Sequence, residues 1–503
     1  MKKHVTRRNF LKMTGAATAT SGLALAGLAN AKEGSALPAN WDETFDVIVI
    51  GSGFAGLSAA IEAKNAGASV VVLEKMPVPG GNSIINGGGM AVVGSDIQSA
   101  HGVKDSVETM LADMYQAGLG LNYPEQARMV AERSNDAFEW CRDYLGVKFK
   151  DTLAHFGGHS VPRTHTTTIQ SGAGFVQPML AKCEALGVPM QKKIYVKRLI
   201  MDDTDRVVGL EVIRNYRQGK EDSKKVRFLK ANKAVVVASG GFAADVAYRS
   251  TQDPRLTEEL ATTNHKGATS ECLKELIRLG ANPVQLSWIQ LGPWASPDEK
   301  GFGLAPIFAA YAAYPHGLMV DPRTGKRFVN ELADRKVRAD AIIKTGHPAI
   351  CLCDAAGTKP AAHVMGKLLE RQVVRKFDSL QELAAFYQIP GDELLAQVGR
   401  YNRFVTEGKD TEFDKPLSMG QQPISDGPFY AARFWPKAHH TMGGVEIDTE
   451  ARVLDISTHQ PIAGLFAAGE ITGGTHGACR LGTVAIPDCI VFGRIAGRNA
   501  ANA

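Results

Sequence analysis

Hydrophobic positions in this chain fall into short, nearly unbroken runs separated by glycine-rich turns. Phe45–Ile50 (FDVIVI) is apolar on both faces, as expected of a parallel strand covered on both sides. A helical stretch through Ala66 and a second apolar strand, Ser69–Leu73, follow it. Lys233–Phe242 (KAVVVASGGF) and Ile462–Gly474 (IAGLFAAGEITGG) read as two further strands that end in glycine. Cys351 and Cys353 in ICLCD are predicted on one face of a buried strand. The lysine-rich RQGKEDSKKVRF (Arg217–Phe228) is predicted as an exposed hairpin turn, and no internal repeat interrupts the series.

Between the first strand and helix stands Gly51-Ser52-Gly53-Phe54-Ala55-Gly56. Gly51 is expected to make the tight turn, Gly53 to let the backbone approach a pyrophosphate, and Gly56 to let helix pack on strand. The second strand ends in Glu74, where an acid can accept ribose hydroxyls. Strand, glycines, helix, strand and acid in register predict an ADP-ribose site.

The N-terminus changes the charge picture. TRRNFLKM (Thr6–Met13) precedes an uncharged run of small and apolar residues over 14–29, and Ala29-Asn30-Ala31 has a small-x-small form. This is the layout of an export signal with a twin-arginine n-region over residues 1–31, so a folded protein is expected to reach the periplasm. Its run is too short for a permanent membrane span. The segment holds five basic residues and no acid, so the formal charge of +5 falls to zero without it. Nothing then favours nucleic acid or an anionic membrane as partner, and no stable membrane insertion is expected. The seven cysteines form no C-x-x-C-H haem motif and no C-x-x-C pair. They read as free buried thiols with no metal.

AHHTMGGVEID (Ala438–Asp448), AAGEITGGTHGACRLG (Ala467–Gly482), RFVNELADR (Arg327–Arg335) and GGHSVPRTH (Gly157–His165) together resemble the soluble fumarate reductase and flavocytochrome c flavoproteins. The resemblance runs over about residues 43–500. It implies an α/β fold: a doubly wound, Rossmann-like FAD-binding domain (32–287 and 440–503) with an inserted α+β capping domain (288–439). FAD would contact Gly51, Gly53, Ala55 and Gly56, then Glu74 and Lys75. Further contacts are expected at Gly81, Asn82 and Ser83, at Gly88, Gly89 and Met90, and at Val196, Ser239 and Gly240. The C-terminal part would add Gly469, Glu470, Arg480, Val484, Ala485 and Ile486. Membrane-bound relatives link FAD to a histidine where this chain has Asn82, which implies non-covalent FAD.

The family reduces the C=C bond of an unsaturated acid. By that resemblance His440 and Arg480 hold the substrate carboxylate and Arg335 donates the proton. An arginine fork suits a carboxylate, and a proton donor must be positioned on the face opposite the hydride. The positions that grip fumarate's second carboxylate read Gly292 and Ala310, and the proton-relay pair reads Tyr311 and Tyr314. Fumarate's second charge would be left buried and unpaired, at several kcal/mol. A monocarboxylate is therefore expected: an aryl acrylate such as cinnamate in the room left by glycine and alanine, near Trp288 and Trp294, or acrylate or methacrylate in a tighter pocket. Urocanate would need an acid such as Asp298 or Glu299. The flavin contact Gly-Gly-Asn of the family becomes Gly482-Thr483-Val484. With no haem domain seen on the chain, a separate multihaem c-type cytochrome is expected to feed electrons, as in anaerobic respiration. The alternatives are a fumarate reductase, a 3-oxosteroid-type flavin dehydrogenase, and a non-catalytic electron-transfer flavoprotein.

Overall fold

The computed structural model describes residues 37–218, 226–417 and 420–503; the export segment and most of the predicted hairpin turn lie outside them. The first strand, β1 (Glu43–Ile50), is buried over its last four residues and leads through the glycine turn into α1 (Phe54–Asn65). β2 (Val70–Glu74) returns parallel to β1, with Ile50 opposite Leu73. Three more strands, β3 (Met190–Lys192), β4 (Ile194–Met201) and β5 (Val207–Arg214), precede the long β6 (Val226–Val237). β5 and β6 pair antiparallel on either side of the predicted hairpin turn.

A second group of elements begins with β7 (Ile289–Gly292) and includes β8 (Leu318–Val320), α2 (Arg335–Thr345) and β9 (Ala349–Asp354). β10 (Val374–Phe377), β11 (Phe429–Phe434) and β12 (Lys437–Thr441) complete it. Then β13 (Arg452–Leu454), β14 (Pro461–Ala467) and α3 (Ala485–Asn502) rejoin the first.

The main sheet has eight strands, with the path β13-β14-β6-β1-β2-β3 and the β4–β5 hairpin attached to β6. Its centre is parallel: β14, β6, β1 and β2 run the same way, so their carboxyl ends open on one edge. Helices α1 and α3 pack so closely that a Cβ on Gly493 would stand 2.5 Å from the Ala55 carbonyl oxygen and one on Gly497 2.2 Å from that of Ala59. Gly56 has the same meaning at the turn, where a Cβ would fall 2.0 Å from the Gly51 oxygen.

The second group forms an antiparallel four-stranded sheet, β8-β9-β11-β10, with its own apolar clusters. Cys351 and Cys353 lie two apart on β9 and share a face; every residue of that strand is buried. The two groups meet at the β7–β12 ribbon, where Gln290 pairs with His440 and a bulge follows Gln290. All seven cysteines are free; five are buried, and Cys272 and Cys489 are half-buried.

Candidate active site

Two adjoining cavities lie at the carboxyl ends of the parallel strands. The first is a groove lined by Gly51, Gly53, Ala55, Glu74, Lys75, Gly81, Asn82, Ser83, Val196, Ser239, Gly240, Gly469 and Glu470. The structure thus brings together residues that are 419 positions apart in sequence (Gly51 to Glu470). The groove fits a dinucleotide for two reasons. The amino end of α1 faces it without any side-chain cap from its own N-cap residue; the Phe54 amide is taken by Ser83 Oγ at 3.0 Å, and the next helix N–H groups are left for a pyrophosphate. Gly51 at φ +105° would carry a Cβ 2.3 Å from the Ala238 oxygen, so only glycine lets the turn close. Glu74 is held at the strand end by Ser52 Oγ (2.5 Å) and the Met76 amide (2.7 Å). Asn82 bonds Asn264 Oδ1 and accepts from the His265 amide at the groove's inner end.

The second cavity, of about 190 Å³, shares Phe54, Asn82, Ser83, Glu470 and Cys489 with the groove. Arg335, His439, His440, Arg480, Ala310, Tyr311, Tyr314, Trp294, Gly89, Ala485 and Ile486 line it, with Phe156, Phe302, Ile307 and Leu332 as apolar wall. Arg335 opens α2, whose N-cap Asp334 accepts from the Val337 amide. A cation at that end opposes the helix dipole, so its placement reflects something other than helix stability.

Gln290 on the ribbon ties the cations together. Its Oε1 accepts from Arg335 Nη1 (2.9 Å) and Arg480 Nη2 (3.2 Å), while its Nε2 donates to the Arg480 carbonyl (2.7 Å). Arg480 Nη2 also donates to His439 Nε2 at 3.2 Å, which leaves the His439 Nδ1–H to donate to Thr263 Oγ1 at 2.8 Å. The Arg480 Nε is buried without any partner.

Burial sets the electrostatics. It pushes Arg335 well below its ordinary pKa, with the like charge of Arg480 second, and lowers Arg480 as well. It holds His439 and His440 well below the usual imidazole range, so both rings are neutral. It raises Glu470 to about 7. The 3.4 Å contact of His440 Nδ1 with Glu470 is therefore a meeting of largely neutral groups. A site that depresses two arginines and elevates one acid is built to receive negative charge.

Several sequence expectations need correction. Tyr311 and Tyr314 both line the cavity, yet neither hydroxyl reaches Arg335. Tyr311 meets Thr166 Oγ1 at 3.4 Å, and Tyr314 donates to the Pro293 carbonyl at 2.9 Å. A π turn at Ala309–Ala313 within the helical run 305–316 rotates these side chains from where regular spacing would put them. The room ascribed to Gly292 is filled: a Cβ there would stand 3.1 Å from the Trp294 ring. Trp288 lies outside the cavity wall. Gly56, Gly88, Met90 and Val484 line neither cavity; Met90 and Val484 are core. Asp298 bonds Arg433, and Glu299 accepts from the Leu304 and Ala305 amides, so neither acid is free for an imidazole. The far half of the pocket does have a cation, because Arg338 lines it.

The residues that sequence reasoning missed are His439, Gln290 and Arg338. The signal for His439 was its place beside His440 in a strand, since neighbours in a strand point to opposite faces. Thr483 is a β-branched residue at φ +61°, held by a 2.9 Å bond to Thr164 Oγ1 on the cavity wall. That conformation is adverse by about 1–2 kcal/mol.

These features match known proteins. The FAD binding domain family matches residues 46–486, and the twin-arginine translocation signal matches residues 4–24. The chain is 43% identical over 499 residues to the acrylate reductase flavoprotein subunit of Shewanella woodyi, covering 98% of this chain and 97% of that one. It is 33% identical over 465 residues to the urocanate reductase of Eggerthella lenta, covering 91% and 74%. A flavocytochrome c3 fumarate reductase in its open conformation superposes with a TM-score of 0.73 at 35% identity, over 92% of this chain and 79% of that one. The chain therefore belongs to the FAD binding domain family, and it is an FAD-dependent oxidoreductase of C=C bonds. Within that class it is one of the fumarate reductase and flavocytochrome c flavoproteins, exported to the periplasm by the twin-arginine route. Among the described residues no helix is long and apolar enough to cross a membrane.

Proposed function

We propose that this protein reduces the C=C bond of a small α,β-unsaturated monocarboxylate of the acrylate or methacrylate class. The observation that carries the reading is the Arg480 guanidinium, buried with its Nε unpartnered, in one cavity with Arg335 and with an apolar lining of Phe302, Ile307, Ala310 and Leu332. Arg480 and Arg335 offer a carboxylate its partners and the apolar wall suits carbon, while Arg338, with Nε and Nη1 already given to backbone carbonyls, has no free fork for a second carboxylate. The Trp294 ring behind Gly292 narrows the space and favours a short acid over an aryl acrylate such as cinnamate. The likeness to an acrylate reductase supports the same choice.

The groove residues would hold FAD, whose chemistry when bound and reduced would be to provide the hydride that the β-carbon of the substrate accepts. Arg480 takes the carboxylate in parallel hydrogen bonds, and the neutral His439 buttresses it from Thr263. Charge moves towards that carboxylate as the β-carbon is attacked, and Arg480 stabilises it. Arg335, held in place by Gln290, delivers a proton to the α-carbon; its lowered pKa makes it a better acid than a solvated arginine. His440 faces Glu470 on the flavin side and positions that wall. FAD is held without a covalent bond, since Asn82 has no nucleophilic ring nitrogen to offer. Residues 32–287 and 440–503 would bind the flavin while 288–439 cap the substrate. Electrons come from a separate c-type cytochrome, a reading supported by the naming of the Shewanella woodyi relative as a flavoprotein subunit.

The test is reoxidation of reduced methyl viologen by anaerobic holoprotein with acrylate, methacrylate, cinnamate, urocanate and fumarate. Acrylate or methacrylate should turn over with kcat/KM at least about a hundredfold above fumarate. Fumarate turnover at an equal rate would sink the monocarboxylate reading, and silence across all five would sink the enoate reading.

A further inference from the structure

This inference rests on the enoate-reductase reading and concerns how Arg335 recovers its proton. The tyrosine hydroxyls are engaged elsewhere, with Thr166 and with the Pro293 carbonyl. What the fold does bring to Arg335 is Arg338, three residues further along α2 and so on the same face. Arg338 is 4% exposed and lines the same cavity. Its Nη1 donates to the Glu331 carbonyl (3.2 Å) and its Nε to the Asp334 carbonyl (3.4 Å), while its Cζ lies 4.8 Å from the Tyr314 ring centre. Among the described residues no carboxylate pairs with it, and its Nε and Nη1, not its Nη2, make the hydrogen bonds.

Other buried arginines do not look like this. Arg249 spends its guanidinium on four backbone carbonyls, and Arg327 is surrounded by three carboxylates, with its Nη1, which makes no hydrogen bond, 3.6 Å from that of Glu412. Arg338 keeps one N–H edge open in a cavity whose chemistry consumes protons. That single edge is not a free fork, because Nε and Nη1 are already given to the Asp334 and Glu331 carbonyls. It suits proton passage better than the grip of a second carboxylate.

We propose that Arg338 is the relay that recharges Arg335 between turnovers. After an N–H proton of Arg335 has become the new α-C–H bond, Arg335 is a neutral guanidine. Arg338 passes one N–H proton to it, directly or across one water, and takes a proton from solvent water in turn. Only N–H and O–H bonds form and break in this step; the two electrons of the reduction arrive through the flavin. The groups facing Arg338 are Arg335 on α2, its N-cap Asp334 and Glu331 before it, Tyr314 on the helical run, Cys351 on β9 and Cys479 from the 478–483 loop. Burial pushes up the phenol and both thiols, so they stay neutral, and it lowers Arg338 itself. Arg338 and Arg335 are then the cavity's exchangeable cations at this end.

The test compares Arg338→Gln and Arg338→Lys holoenzymes with the best enoate of the viologen assay. In Arg338→Gln, flavin content and the rate of flavin bleaching by reduced viologen should stay within about twofold of wild type. Its kcat should fall about tenfold to a hundredfold, most steeply as pH rises, and added guanidinium should restore part of it. Arg338→Lys should keep kcat within about threefold. A raised KM with an unchanged kcat–pH profile would make Arg338 a carboxylate contact and overturn the relay. Equal losses in both variants, with less flavin and no rescue, would make it a structural prop and overturn it too. If the wild-type protein reduces no enoate at all, it is the functional reading that falls first.

Discussion

Arg163, fully buried, and Arg335, half-buried in the cavity wall, have opposite surroundings. Arg163 lies between two carboxylates, Asp105 at 2.9 Å and Asp113 at 2.5 Å, and is fully buried with them. Arg327 is treated the same way by Glu331 and Asp410. Arg335, Arg338 and Arg480 meet amide and carbonyl oxygens and an imidazole, Arg335 and Arg480 sharing Gln290 Oε1, with no ion pair among the described residues. Ion pairing completes the first set within the fold. The second set is left uncompensated at a cost in stability, and a ligand's charge is what compensates it.

The sharpest way to break this comparison is to delete the catalytic cation. Arg335→Gln should lower kcat by about a thousandfold or more, with flavin content and urea midpoint unchanged or improved, because a half-buried charge without an ion-pair partner has gone. A variant that keeps a tenth of wild-type turnover would remove Arg335 from the chemistry. The converse change is Arg163→Met. It strands Asp105 and Asp113 without their cation and should destabilise the protein by about 3–5 kcal/mol. Turnover per folded flavoprotein should hold within a few-fold. A loss below about 1 kcal/mol in urea titration would mean that the two sets of arginines do not differ as described.

How much of this was legible in the sequence depended on how local each feature is. The β1 strand, the glycine turn and Glu74 act within one βαβ unit, so spacing alone placed them. Arg335 and Arg480 stood in motifs of their own. What failed depended on contacts across the fold. His439 and His440 are adjacent, and which of them faces the arginines is decided by the pairing of β12 with β7. The directions of Tyr311 and Tyr314 depend on a π turn that leaves no mark in the composition of AAYAA. Gly292 looked like empty space because nothing in WIQLGPW says that Trp294 folds back over it. Arg338, in RKVRADAIIKT, reads as one more surface cation on a polar helix; only the cavity shows that this face is inside.

Glu470 gives the smallest effect and tests the same logic from the anionic side. Its carboxyl is largely withdrawn from solvent at the junction of groove and cavity, and that desolvation raises it from 4.5 to about 7. Between those values the native protein holds a proton that the unfolded chain has released. Stability contributed by this group is therefore greatest below about pH 4.5, falls as pH rises to about 7, and is level above that. The full span is on the order of 3 kcal/mol. Glu470→Gln carries no titrating proton, so the decline of the urea midpoint between pH 5 and 7 should flatten. If the variant keeps the wild-type slope, the titration belongs to another group, and the Glu470–His440 contact plays no part in the charge balance of the site.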